Sequence, residues 1–229
     1  MYYDLGWYTS FIILIPALLF ATYAQMKITS NYNKYSQVMS RKGFTGADAA
    51  RKMLDANGLN HVSIRIIGGR LSDNYNPGTQ TVSLSKDVYY GNSVAAIGIA
   101  CHECGHAVQH ATGYGALKIR NLIIPVANFG SGLAIPIFFI GLVLGMQSLT
   151  FLGILFFSFA VLFQAVTLPV EFNASSRALN QMKELGIVTK EEETGAKKVL
   201  GAAAMTYVAA LLVSLMHLLR LILLSRSRR

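Results

Sequence analysis

The chain has 229 residues, 53% apolar and only 14% charged, with 20 Lys and Arg against 11 Asp and Glu for a formal charge of +9. Soluble domains carry about one-quarter charged residues, so a water-soluble globule, a coiled coil and a disordered chain are excluded. What remains is an integral membrane protein with polar mass outside the bilayer. In a soluble chain the basic excess would suggest nucleic acid. Here basic loops kept in the cytoplasm account for it, and no nucleic-acid partner is expected.

Residues 1–24 contain the first uncharged apolar run, Trp7 to Ala24, preceded by Asp4 and followed by Lys27, the wrong flanks for a cleavable signal peptide. Residues 25–121 are polar enough to fold in water. Within them Thr45-Gly46-Ala47-Asp48 opens a helix, with a hydroxyl at the N-cap and a carboxylate three residues on, and Asn57-Gly58 closes it. Val62 to Ile67 alternates and is β-branched, so it reads as a strand. Thr81 to Leu84 reads as a second, after a turn-rich stretch from Asp73 to Gly78. From Ser93 the sequence turns helical until about Gly113.

Residues 122–168 form a transmembrane hairpin, with Leu122 to Gly145 and Leu149 to Leu168 joined by the short Met146-Gln147-Ser148 link. Residues 169–198 are a polar return. Residues 199–229 hold a last apolar run, Val199 to Leu224, broken by His217 and Arg220 and ending in a basic tail. The predicted fold is therefore a mainly α membrane protein with about four transmembrane or re-entrant helices and a small α+β unit between the first two.

Charge sets the orientation. Residues 25–121 carry 11 Lys and Arg and residues 169–198 carry 5, whereas residues 1–6 and the hairpin link carry none. Basic loops stay inside, which places both polar segments in the cytoplasm and the N-terminus outside. A fully crossing fourth helix would put Arg226, Arg228 and Arg229 outside. A re-entrant one would not, and the sequence leaves both open.

The chemistry lies in His102-Glu103-Cys104-Gly105-His106, an H-E-x-x-H motif inside the predicted helix. At ~1.5 Å rise and 3.6 residues per turn, His102 and His106 fall one turn apart on one face, where both imidazoles reach one zinc. Glu103 lies beside them, placed to take a proton from a metal-activated water without being a ligand. Chance alone gives this motif roughly 0.003 times in a chain with five His and six Glu.

A catalytic zinc keeps three protein ligands and one open position. Topology restricts the third to the same membrane face. Glu171, in Leu168-Pro169-Val170-Glu171-Phe172-Asn173-Ala174-Ser175, follows two membrane crossings after His106 and is the best candidate. Glu184 reads as helix surface, and the run Glu191-Glu192-Glu193 as a solvated face. His110 lies ~12 Å along the helix axis from His102, too far for all three to share an ion, and reads as a polar or supporting group. His61, at a strand entrance, reads as structural. His217 sits inside an apolar run, and a packing role fits it better than a functional cavity. Cys101 and Cys104 point away from the histidines and read as small core residues.

These motifs are familiar. Ser93 to Ala96 leading into His102 to Gln109, Pro125 to Asn128, Leu168 to Ser175, Tyr32 to Val38 and Thr45 to Leu54 together resemble the YugP-like family of membrane zinc metallopeptidases. The resemblance covers most of the chain. It implies a bacterial inner-membrane peptidase with a gluzincin-like site on a zincin-like unit: one zinc held by His102, His106 and Glu171, with Glu103 as catalytic base. Two departures stand out. Asp73-Asn74-Tyr75-Asn76-Pro77 occupies the place of an expected Asp-His-Tyr-Asp-Pro, and Asn173 that of a common Asp.

The expected activity is hydrolysis of peptide or membrane-protein substrates beside membrane lipid, at the cytoplasmic face. Arg177, Tyr207 and His217 are candidate oxyanion donors, and the strand at Thr81 to Leu84 is an expected edge for pairing with an extended substrate. The alternative is a non-catalytic membrane scaffold with a structural zinc. The donor set of two His and one carboxylate argues against it, because closed structural sites are usually rich in Cys.

Overall fold

The computed structural model describes residues 12–226. In chain order its elements are α1 (Leu14–Tyr35), α2 (Gly46–Ala56), β1 (Ser63–Ile67), β2 (Asn74–Asn76), β3 (Thr81–Ser85), α3 (Lys86–Tyr89), α4 (Val94–Ala111), α5 (Gly115–Val143), α6 (Gln147–Glu184) and α7 (Lys190–Arg226). The chain divides into two compact units. One is drawn from Met1–Gln25, Lys118–Pro169 and Thr206–Arg229, the other from Met26–Leu117 and Val170–Met205.

The first unit is apolar. Among the described residues three helices, α5, α6 and α7, are long and apolar enough to cross a membrane. Leu122, Phe129, Val143 and Phe151 all stand exposed there, a surface suited to lipid rather than water. Small residues let α5 and α6 approach closely: a Cβ on Gly153 would lie 2.7 Å from the Phe138 backbone, and one on Gly141 would collide with the Thr150 nitrogen. The first predicted span begins at Trp7, and its residues 7–11 lie outside the described residues. From Leu14 the helix α1 continues past that run to Tyr35. The fourth apolar run belongs to one unbroken helix, α7.

The second unit is a water-type α+β fold with one core. Met53 and Leu54 of α2, Val82 and Leu84 of β3, Ile97 and Cys101 of α4, Met182 of α6 and Leu200 of α7 all meet in it. Helix α2 starts where the sequence signals it: Thr45 accepts from the Asp48 backbone while the Asp48 carboxylate accepts from the Thr45 N–H. Ser93 caps α4 through the Ala96 N–H. Gly113, at φ +64°, ends α4, with the Tyr114 N–H reaching back to Gln109 O.

The sheet corrects two expectations. A third strand, β2, lies in the stretch read as turn. The strand order is β1-β3-β2, with β1 parallel and β2 antiparallel to β3. Because β3 is the middle strand, both its edges are already paired, so it has no edge to offer a substrate. Among the described residues the free edges belong to β1 and β2.

Two other readings also change. Helix α6 does not end with the apolar run at Leu168 but continues through Pro169 to Glu184, so Glu171 lies mid-helix. Ala, Leu, Gln, Met and Lys in the polar half are good helix formers, and the stop is Gly186, at φ +60°, with Ile187 N–H bonded to Met182 O. Glu192 is not solvated. Its carboxylate is buried at the start of α7, accepting from the Thr189 N–H at 2.7 Å and the Arg41 N–H at 2.6 Å.

Candidate metal centre

Helix α4 supplies His102, Glu103 and His106, and α6 supplies Glu171. The two helices come together because Gly105 has no side chain. A Cβ there would sit 2.6 Å from Ala174 O and 3.2 Å from Ala174 Cα. That close approach carries Glu171, a buried carboxylate, up to the histidine face.

Glu171 Oε2 lies 3.2 Å from His102 Nε2 and 3.6 Å from His106 Nε2, and the imidazoles stand edge to face at 4.8 Å between centroids. The three groups offer one donor atom each within 4.8 Å of one another. Two donors bound tetrahedrally to one zinc at ~2.0–2.1 Å stand about 3.3 Å apart, so both carboxylate–imidazole separations suit a shared ion. The donor chemistry fits as well, since borderline-soft zinc takes imidazole and carboxylate.

The far nitrogens are also held. Ser175 Oγ lies 3.1 Å from His102 Nδ1, and Gln109 Oε1 lies 3.0 Å from His106 Nδ1. Metal-binding imidazoles are usually oriented through this second nitrogen. Gln109 is wholly buried and also donates to Val170 O and Asn173 Oδ1. The signal for both partners was present in the sequence, because Gln109 follows His106 by three and Ser175 follows Glu171 by four, each on its neighbour's face.

Electrostatics follow from burial and crowding. Burial pushes the Glu103 carboxyl up; the nearby histidines pull it back only partly, while Glu171 and Asp73 reinforce the rise. Burial also works against the charged form of Glu171, but hydrogen bonds with His102 and His106 outweigh it and hold that carboxyl well below the usual carboxylate range. For His106 burial opposes protonation, yet Glu171, Glu103 and Gln109 together raise its affinity for a proton.

The other residues singled out by sequence separate clearly. His110 stays out of the donor cluster; its Nδ1 lies 2.9 Å from the Tyr75 hydroxyl of β2, whose phenol burial pushes up. Arg177 donates through Nε to Asn173 Oδ1 at 2.8 Å. Tyr207 and His217 belong to the other unit, where His217 rests against the Phe157 ring. His61 is exposed ahead of β1. Cys101 and Cys104 are free, buried core thiols; burial pushes Cys101 up to about 12 and Cys104 well above its ordinary value. Asp73 keeps a structural partner, accepting from the Ser85 N–H at 2.7 Å.

The family model described as "Putative neutral zinc metallopeptidase" matches residues 10–226. A relative named "Putative membrane protease YugP", from Bacillus subtilis (strain 168), is 52% identical over 211 residues, 92% of this chain and 94% of its own length. No solved structure matches the chain significantly. A match that runs through every element of the second unit leaves one conclusion: the chain belongs to the family described as "Putative neutral zinc metallopeptidase".

Proposed function

We propose that the protein is an integral-membrane zinc endopeptidase that hydrolyses peptide bonds of peptide or membrane-protein substrates at the cytoplasmic face of the inner (cytoplasmic) membrane. One observation carries the reading: His102, His106 and Glu171 converge from two helices to within 4.8 Å, with the buried Glu103 next to them in sequence. His102, His106 and Glu171 would hold one zinc ion. When bound, zinc lowers the pKa of a water toward ~7 and polarises the scissile carbonyl.

Glu103 would take a proton from the attacking water and deliver it to the leaving amine. A carboxyl raised by burial suits this exchange, because a base works best when its pKa approaches the operating pH. Ser175 and Gln109 orient the two imidazoles. An extended substrate adds to the sheet at β2 rather than β3, since β2 has a free edge and Tyr75 ties it to the site helix through His110.

Four spans, with α1 as the first and the N-terminus outside, agree with sixteen of twenty basic residues lying in two segments. The helix α4, packed with a three-stranded mixed sheet, is the zincin-like part.

Glu103→Gln tests the reading. The purified variant should keep one zinc per chain and lose 10²–10⁴-fold in peptide cleavage. Equal cleavage by variant and wild type removes Glu103 as the base. Stoichiometric zinc with no cleavage by the wild type leaves the structural-zinc scaffold in its place.

A further inference from the structure

We propose that Gln109, locked in one orientation by Val170, Asn173 and Arg177, is a positioning residue that compels His106 to carry its proton on Nδ1 and to present the bare Nε2 to the metal. This rests on the metal-site reading above and specifies how one ligand is prepared.

The inference follows from donor and acceptor counting. Gln109 is fully buried, so each face of its amide must find a partner of the right kind. One contact is Val170 O at 2.7 Å, a backbone carbonyl that can only accept. The group facing it must therefore be the Gln109 amide nitrogen. A second contact, Asn173 Oδ1 at 3.0 Å, is settled independently: Arg177 Nε, which can only donate, reaches the same Asn173 atom at 2.8 Å, so that atom is the oxygen. Both ends of the chain agree, and no flip of either amide satisfies them. The remaining Gln109 atom, 3.0 Å from His106 Nδ1, is then the carbonyl oxygen, which can only accept. Nδ1 must carry a hydrogen, and in the neutral ring the lone pair falls on Nε2, beside Glu171 Oε2.

His102 is not constrained in this way. Its Nδ1 partner is the Ser175 hydroxyl, which can donate or accept. One ligand of the pair is thus fixed by its surroundings and the other can adjust. The arrangement also gives Asn173 a fixed role, because its oxygen accepts from both Arg177 and Gln109.

The test uses the full chain in detergent, with 15N-labelled histidine and metal removed by chelator, at a pH well above the imidazole range. Nitrogen shifts report each tautomer, and a His106→Gln spectrum identifies the His106 signals. Zinc affinity is measured separately by competition with a chromogenic chelator, zinc alone being the probe. Wild type should show His106 wholly as the Nδ1–H form. Gln109→Leu should mix the two tautomers and weaken zinc about 10–100-fold. Asn173→Leu, at a half-buried position that folding tolerates better, should shift both readouts the same way by a smaller amount. The conservative Asn173→Asp should rescue both.

Wild-type zinc affinity together with an unmixed Nδ1–H signal in Gln109→Leu and Asn173→Leu overturns the proposal, and so does an Nε2–H signal for wild-type His106. The metal-site reading fails separately, by absence of stoichiometric zinc from a wild type whose His106 is in the Nδ1–H form.

Discussion

Gly105→Ala is the sharpest perturbation the structure offers, because one methyl group meets only backbone. The new Cβ would stand 2.6 Å from Ala174 O, 3.1 Å from Ala174 C and 3.2 Å from Ala174 Cα. No rotamer change relieves contacts with main chain. Ordinary C···O contacts lie at ~3.3–3.6 Å, so α4 and α6 must part locally by roughly 0.7–1 Å. Glu171 and Ser175 flank Ala174 on α6, while His102 and His106 flank Gly105 on α4, so the separation falls on the donor cluster itself. Metal–ligand bonds tolerate about 0.2 Å. The displacement is several times larger, and Glu171 drops out of reach of an ion held by the two histidines.

The expected loss in zinc affinity is on the order of 100-fold, the upper end of what disturbing the support of a ligand costs. Overpacking destabilises by about 1–3 kcal/mol, offset by ~0.8–1 kcal/mol from replacing a helical Gly with Ala. Gly98→Ala is the matched control. It lies in the same helix, and its Cβ would meet only Ala196, at 3.8 Å from Cβ and 4.0 Å from Cα, ordinary contacts. That variant should gain the propensity term and bind zinc as wild type does. Chelator competition and thermal melting, each with and without zinc, separate the two. The reasoning is refuted if Gly105→Ala matches Gly98→Ala in both zinc affinity and melting temperature.

Two further predictions concern pH and thiols. With metal stripped, Glu103 and His106 hold protons more tightly folded than unfolded. Their stabilisation is complete below the ordinary values of 4.5 and 6.5 and is lost as pH rises through the higher folded values. Glu171 is shifted the other way, so its contribution is present above 4.5 and lost as pH falls toward its lowered folded value. The stripped protein should therefore melt highest at mildly acidic pH and fall toward pH ~8, whereas the zinc-loaded protein should do the reverse because ligation releases protons; a flat stripped profile in scanning fluorimetry counts against the assigned shifts. Cys101 and Cys104, fully buried with raised thiols, should resist maleimide in the folded protein and both react after denaturation, as read by mass spectrometry; labelling at the rate of a free thiol in the folded state contradicts their burial.

What could be read from sequence was what chemistry writes locally. The Thr45–Asp48 capping box spans four residues and fixes the start of α2, and the i, i+4 spacing of His102 and His106 fixes their shared face. Glu171 was reachable by counting membrane crossings, although its position in the middle of α6 was not, because a change from apolar to polar residues does not end a helix. β2 was hidden for a different reason. Asn74 and Asn76 have poor strand propensity, and the strand exists through pairing with β3 and the contact of Tyr75 with His110. Strand order is equally non-local, so nothing in Thr81 to Ser85 announces a central position. Glu192 is legible in principle: Thr189-Lys190-Glu191-Glu192 is itself a capping-box pattern, and the Glu192 N–H faces Thr189 Oγ1 at 3.4 Å. Gly105 carries the least visible information, since its importance lies in what Ala174 would meet.

The charges of the cluster explain why its groups depend on one another. Glu103 and Glu171 are two buried carboxylates near two imidazoles, and each carboxylate raises the other's cost of ionising. With both carboxylates ionised and both imidazoles neutral the set carries −2, which burial makes expensive without a cation. One divalent ion would cancel that charge. Without metal, protons on His106 and Glu103 do the same work, and those are the groups whose proton affinity rises. The supporting groups on the two imidazoles, Ser175, Gln109 and Asn173, are all neutral, so none disturbs this balance, and the Arg177 charge is held at the end of an amide chain away from the ligands. A carboxylate in place of Gln109 would break the match twice: it would add a third negative charge to the cluster and set an acceptor against Val170 O. An amide at that position satisfies the hydrogen bonds and leaves the charge count at the value one divalent ion neutralises.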